Sequence, residues 1–339
     1  MRQRDTAYWR ISQRTSPSER ATVYRRAGGF RIEAARAGTM GGRMNTQSGL
    51  IVKATGGFYY VESEGATYEC RARGLFRKEG VSPLVGDRVT VEPTGEATGQ
   101  VQSILPRKNQ LVRPPLANLD TFVVVASVAD PAPNPFVIDK MLAIACHKGI
   151  SPMLVITKSD LGAPDRMEEV YRMAGIPLLA VSNQSEQGLD RLREALSHGI
   201  SAFSGNTGVG KSSLLNRLDP RLALATGETS QKLGRGRHTT RHVELFRIGK
   251  DGYIADTPGF SAVELERYEV ILKEELAECF PEFAEFTGDC RFTGCSHTVE
   301  KGCAVLEAVQ EGRIHPSRHA SYCALYEDAK KIREWELKR

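Results

Sequence analysis

The 339-residue chain has no apolar run long enough to cross a bilayer and no recognisable secretory leader. The first absence excludes a membrane-spanning helix; the second leaves the protein without an export address. A large excess of either charge is also absent, with 46 Lys and Arg against 41 Asp and Glu. A formal net charge of +5 permits a polyanionic partner without requiring one. Seven cysteines, an odd count without an export signal, argue against a disulfide scaffold. The first 44 residues lack lysine and hold ten arginines against three acidic residues, with no sustained apolar period. They read either as a disordered basic arm (1–48) or as sequence lying upstream of a true start at Met44.

What is present begins with a set of short alternating strands. Leu50–Val52, Phe58–Val61, Thr67–Cys70, a turn and strand at Val85–Val89, and Gly99–Leu105 form about five strands with glycine-marked turns. This predicts a small β-barrel over 49–112, either an OB-fold or an SH3-like barrel. Arg71, Arg73, Arg77, Lys78, Arg107 and Lys108 suggest an RNA-facing surface on it. After Pro114-Pro115 the pattern changes. Thr121–Val128 is a continuous apolar strand of the kind buried on both faces of a parallel sheet. A helix at Phe136–Lys148 follows, then strands at Met153–Ile156, Ile176–Val181, Gly199–Ser204, His242–Ile248 and Tyr253–Ala255, with helices at Leu189–Leu196 and Lys211–Leu218. Such alternation predicts an α/β domain over 113–262. The remainder, 263–339, shows no strand and reads as helices, a cysteine-rich loop and a charged terminal helix.

Gly205-Asn206-Thr207-Gly208-Val209-Gly210-Lys211-Ser212 is a complete G-x-x-x-x-G-K-S phosphate loop between a strand and a helix. Its backbone N–H groups and the helix N-terminus suit phosphate, with Ser213 continuing the loop into the helix. Lys211 is placed to reach the terminal phosphates and Ser212 to hold Mg²⁺. Asp256-Thr257-Pro258-Gly259 closes a buried strand, where Asp256 suits the magnesium shell and the Gly259 N–H the γ-phosphate. Between the two lies Gly234-Arg235-Gly236-Arg237-His238-Thr239-Thr240-Arg241, too polar for a core. Thr239 or Thr240 can close on Mg²⁺. Phe260 stands where many relatives of this fold carry a water-orienting Gln. His238 is then the candidate to orient the attacking water, or else a residue facing solvent or RNA.

Thr157-Lys158-Ser159-Asp160 has the form of a guanine-reading motif. The Asp160 carboxylate can accept from the two adjacent donors of guanine, and the Lys158 stem can lie along the base. Thr157 stands where Asn is usual. Ser182 begins the second base-side loop. Both base-reading segments precede the phosphate loop, the reverse of the conventional order, which implies a circular permutation. Cys290, Cys295, His297 and Cys303 read C-x4-C-x-H-x5-C and predict one structural Zn²⁺ with no open ligand position. Cys279 and Cys323 fall outside that spacing. Arg291, Arg313, Arg318, Lys330, Lys331 and Arg333 near it leave an RNA or protein contact open.

From about Gly49 onward the chain resembles the RsgA family (YjeQ, YloQ) of bacterial ribosome-associated GTPases. The resemblance rests on the phosphate loop, G-R-G-R-H-T-T at 234–240, D-T-P-G-F at 256–260, T-K-S-D at 157–160 and the zinc cluster. It implies an OB-fold barrel, a permuted GTPase domain and a helical zinc domain. It also implies a monomeric cytoplasmic factor in late maturation of the small ribosomal subunit. On that pattern the factor binds the subunit and its 16S rRNA near the decoding region, with GTP hydrolysis stimulated by the subunit and coupled to release. The family's catalytic histidine falls on His238, its zinc ligands on the four residues above, and its phosphate-loop Lys and Ser on Lys211 and Ser212. Thr157, Asn206-Thr207 and residues 1–43 depart from the family pattern. A nucleotide-gated RNA-binding module with incidental hydrolysis is the alternative reading, and an ATP-dependent enzyme a third.

Overall fold

A computed structural model describes residues 46–74, 76, 80–222, 243–256 and 269–332. The basic N-terminal extension, Arg77, Lys78, the segment carrying His238, Thr239 and Thr240, the turn with Gly259, and Arg333 lie outside them.

Five strands close the barrel: β1 (Gln47–Thr55), β2 (Phe58–Ser63), β3 (Ala66–Ala72), β4 (Arg88–Pro93) and β5 (Thr98–Ile104). They pair in the order β1-β2-β3-β5-β4, and β4 returns to β1, so no edge is left open. This order is the OB topology, with β3 and β5 parallel. Alternation supplies the interior: Ile51, Val61, Cys70, Val89, Val91 and Val101 are fully buried. A connector holding the short hairpin β6 (Gln110–Leu111) and β7 (Leu116–Ala117) is strapped to the barrel. Arg107 grips the buried Asp87 with two bonds of 2.7 Å, and Asn118 donates to the Gly86 carbonyl at 2.9 Å.

Through the β1–β12 pair the same sheet continues into the α/β domain, in the order β10-β9-β8-β11-β13-β12. Its strands are β8 (Thr121–Ser127), β9 (Ser151–Thr157), β10 (Leu178–Ala180), β11 (His198–Gly205), β12 (Glu244–Ile248) and β13 (Asp251–Asp256). All neighbours are parallel except the hairpin β12–β13. The helices are α1 (Pro135–His147), α2 (Asp165–Met173), α3 (Leu189–Ala195) and α4 (Lys211–Leu218). β8 shows why its residues are apolar without interruption. Phe122, Val124 and Ala126 join the core of α1 and α2, while Val123 and Val125 join that of α3 and α4. Both faces of the strand are therefore covered.

Beyond residue 269 the expected absence of strands holds among the described residues, but regular helix begins only at α5 (Ala304–Gln310) and α6 (Pro316–Ala329). Residues 276–289 instead form three short 3₁₀ turns. Phe280, Phe283 and Phe286 recur every three residues, the 3₁₀ period, and all three are buried beside Tyr322. This unit packs on α1 through Ala143.

Three basic residues read as candidates for RNA or protein contact have other partners. Arg318 is 1% exposed; its guanidinium bonds Asp139 of α1 at 2.6 Å and Glu282 at 2.6 Å. Arg107 is committed to Asp87, and Lys108 pairs with Asp120. Arg71 and Arg73 remain exposed on the barrel, Arg71 with its guanidinium 4.9 Å from the Phe58 ring centre.

Candidate nucleotide site and metal centre

The candidate nucleotide site lies where a parallel sheet normally offers one, beyond the carboxyl ends of its strands. β8 is flanked by β9 on one side and β11 on the other. Thr157, the last residue of β9, is paired with Ser127, and Gly205, the last of β11, with Val125. The guanine-type motif and the phosphate loop thus emerge one strand apart on the same edge. Asp256 ends β13, the neighbour of β11 on its other side.

Gly205 and Gly210 show why the phosphate loop needs glycine. A Cβ at Gly205 would sit 2.4 Å from the Val125 carbonyl oxygen. Gly210 adopts φ 86°, a left-handed turn into α4, and contributes no side-chain cap. Asn206, Thr207 and Gly208 are exposed, Val209 is buried, and Lys211, Ser212 and Ser213 are half-buried on the first turn of α4.

Two side chains tie the base-side loops to this loop. The Thr157 hydroxyl, fully buried, lies on the Val209 carbonyl and 3.1 Å from that of Ala126. The Asn183 amide donates to the Gly210 carbonyl at 3.4 Å. Lys158 takes the left-handed conformation at φ 59°, and its ammonium donates to the Asp130 carbonyl. That turn leaves Asp160 exposed to solvent. Ser182, itself buried, donates to Asp160 Oδ1 at 2.6 Å and accepts from the Gln184 and Ser185 N–H groups. One carboxylate oxygen of Asp160 is thereby oriented.

Sequence reasoning missed Asn183 and the loop after β8. The Ser127 hydroxyl sits 2.7 Å from both the Ala129 and Pro131 carbonyl oxygens, sharing its single proton between them, and Pro131 lies against Gly208. The signal was Asp130-Pro131-Ala132-Pro133 directly after a buried strand, a stretch unable to continue either strand or helix.

The four predicted zinc ligands converge. Their donor atoms all lie within 4.8 Å of one another. Cys290 Sγ is 3.8 Å from Cys303 Sγ, and His297 Nδ1 is 3.5 Å from each. Bonds of about 2.3 Å to sulfur in a tetrahedron require sulfur–sulfur edges of about 3.8 Å, so the spacing fits Zn²⁺. Burial lowers the His297 pKa, favouring the neutral ring that ligates a metal. Burial pushes the Cys295 thiol up to about 12, so a thiolate there needs a cation beside it. The surrounding loop holds its shape through Glu300, which accepts from the N–H groups of Ser296, Thr298 and Val299. His319 Nε2 meets the His297 carbonyl at 2.8 Å, and Tyr322 donates to that of Ser296 at 2.8 Å. By contrast Cys70 and Cys279 are buried thiols whose pKa values burial raises to about 11 and about 12.

Comparison with known proteins agrees with this architecture. Residues 48–101 match the RsgA N-terminal domain and residues 104–266 the RsgA GTPase. A protein of Caldanaerobacter subterraneus subsp. tengcongensis named small ribosomal subunit biogenesis GTPase RsgA is 45% identical over 290 residues, 85% of this chain and 97% of its own. A like-named Geobacillus protein is 46% identical over 288 residues, 83% of this chain and 97% of its own. The crystal structure of YjeQ from Thermotoga maritima superposes with a TM-score of 0.73 at 33% identity, covering 85% of this chain and all of that one. YloQ, described as a circularly permuted GTPase, gives 0.72 at 33% identity, covering 86% of this chain and 98% of its own. On sequence, domain content and permuted topology together, the chain belongs to the RsgA family of GTPases.

Proposed function

We propose that this GTPase acts in maturation of the small ribosomal subunit, binding the subunit and its 16S rRNA as a cytoplasmic monomer. Hydrolysis is stimulated by the subunit and coupled to release. The observation that carries the nucleotide chemistry is the tie between Thr157 and the Val209 carbonyl. It fixes the base-reading loop and the phosphate loop one strand apart, a spacing suited to a single nucleotide.

In this reading residues Gly205 to Ser213 surround the phosphates and Lys211 compensates their charge. Asp160, held by Ser182, accepts from guanine, with Lys158 along the base. Ser212, joined by Thr239 or Thr240, would hold Mg²⁺, which neutralises charge developing on the phosphates when bound. Asp256 and Gly259 serve the metal shell and the γ-phosphate. His238 is the group proposed to orient the attacking water, with low turnover expected until the small subunit engages. One structural Zn²⁺ on Cys290, Cys295, His297 and Cys303 stiffens the C-terminal unit. The ribosomal assignment draws on the names of relatives that share over four fifths of this chain. GTP turnover measured with and without purified small subunits tests it: a rise of ten-fold or more supports the reading, on the scale of partner-activated GTPases, ~10³–10⁵ at the extreme. Equal rates would refute it.

A further inference from the structure

The barrel does not hang on the GTPase domain by its connector alone; it is mounted on the hairpin β12–β13. In the chain this hairpin lies between G-R-G-R-H-T-T at 234–240 and D-T-P-G at 256–259. The mount is narrow. β1 and β12 share a single backbone pair, Lys53 with Glu244, reinforced by a 2.9 Å ion pair between the same side chains.

A polar cluster adds to it, beside apolar packing in which Leu50, Ile51 and Val61 of the barrel share one buried core with Val243 and Leu245. Glu62, on β2 of the barrel, accepts at Oε2 from the Tyr253 hydroxyl at 2.7 Å and from Arg247 Nη2 at 3.0 Å. Arg247 also donates to the Tyr253 hydroxyl at 2.9 Å, and its guanidinium lies 5.4 Å from the centre of that ring. On its far side the Arg247 carbonyl accepts from Arg221 at 2.8 Å, and Arg221 is clamped by Asp219 directly after α4. Phosphate loop, α4, Asp219, Arg221, Arg247 and Glu62 therefore form one contiguous series of contacts from nucleotide to barrel. Beside the cluster opens a cleft of about 580 Å³, lined in part by Arg88, Leu105 and Tyr253.

We propose that Glu62, Arg247 and Tyr253 form a joint through which the nucleotide state sets the position of the barrel, with Glu62 as the positioning residue on the barrel side. The proposal deepens the reading above, resting on nucleotide exchange at the site described, and it needs no ribosome for its test. A barrel that carries RNA contacts would then present them differently in the two nucleotide states.

Hydrogen–deuterium exchange on the full chain, loaded with GDP or with a non-hydrolysable GTP analogue, decides it. Wild type should show about threefold or greater difference between the two states at β1 and β2 amides, since local opening reports the strength of such a mount. Glu62→Ala should erase the difference, while Glu62→Gln, which keeps an acceptor oxygen for both partners, should retain it. Tyr253→Phe, which removes one donor and keeps the ring, should narrow it and guards against an Ala variant that fails to fold. Identical exchange in the two states for wild type, or an undiminished difference in folded Glu62→Ala, overturns the joint. Failure of small subunits to stimulate turnover would instead strike the ribosomal reading and leave these exchange results standing.

Discussion

Ser182 Oγ donates to Asp160 Oδ1 at 2.6 Å, joining residues 22 apart in sequence on the two base-side loops. The same hydroxyl oxygen accepts from two backbone N–H groups, so its own rotamer is fixed. Asp160 is exposed, and an exposed carboxylate without such an anchor would sample several orientations. Ser182→Ala should weaken GTP and GDP binding about tenfold, the scale of one hydrogen bond to a charged group, ~1.5 kcal/mol. Titration with a fluorescent guanine nucleotide measures this; an unchanged affinity would mean the pair does not orient the reading carboxylate.

Asp160→Asn replaces an acceptor by a donor at one oxygen position. Guanine nucleotides should lose about a hundredfold or more in affinity, because a buried polar edge is left mismatched. Xanthosine nucleotides, which present a carbonyl where guanine has its amine, should recover much of the loss. Competition among GTP, XTP and ATP gives the answer, and a variant still preferring GTP would remove Asp160 from base reading.

The Thr157 hydroxyl faces the Ala126 carbonyl of β8 and the Val209 carbonyl of the phosphate loop. Thr157→Val keeps the shape and deletes the donor, stranding the Val209 carbonyl at a cost of about 1–3 kcal/mol. Thr157→Ser should be close to wild type. Urea unfolding checks both, and nucleotide affinity should fall with stability in Val alone.

How much of this was legible in the sequence follows from how local each signal is. The phosphate loop, the T-K-S-D turn and the cysteine cluster are set by nearest-neighbour backbone demands, so their residues could be named directly. β8 could be read because a strand covered on both faces has no polar position to interrupt it. The 3₁₀ turns at 276–289 were hidden, because Phe280, Phe283 and Phe286 at spacing three imitate one side of an α-helix. Arg318 and Arg107 were misread for a different reason. A buried arginine and a solvated one look alike until Asp139, Glu282 or Asp87 arrives from far along the chain. Asn183 was missed because its partner is a backbone carbonyl of Gly210, which leaves no mark in sequence.

Chelation should separate the C-terminal unit from the rest. Removing zinc would leave three thiols and an imidazole with donor atoms within 4.8 Å of one another and no cation to hold them together. One zinc per chain should be released by a strong chelator, with a fall in thermal stability and newly reactive thiols at Cys290, Cys295 and Cys303. Guanine nucleotide affinity should change by less than about threefold, since the sheet and phosphate loop have cores of their own. Zinc content by colorimetric titration, read beside nucleotide binding, checks both halves.

The Arg318 cluster should behave unlike a surface ion pair. Its guanidinium bonds Asp139 on α1 and Glu282 on the 3₁₀ turn, stacks 4.6 Å from the Phe280 ring centre, and is almost fully excluded from water. Burial opposes its charge, but Glu282 and Asp139 outweigh that penalty and hold its pKa above the ordinary arginine value. Tyr171 of α2 donates to the same Asp139 oxygen at 3.0 Å, so the GTPase helices and the cysteine-bearing C-terminal unit share one ionic centre. Arg318→Met strands two buried carboxylates and should cost about 3–5 kcal/mol. Arg318→Lys should recover little, because a point charge cannot reach both carboxylates in the fork geometry of a guanidinium. Adding Asp139→Asn and Glu282→Gln to Arg318→Met should restore much of the loss, since the stranded charges are then gone. Urea unfolding of the three variants measures the coupling; additive losses in the triple variant would show that packing, not charge, makes Arg318 necessary.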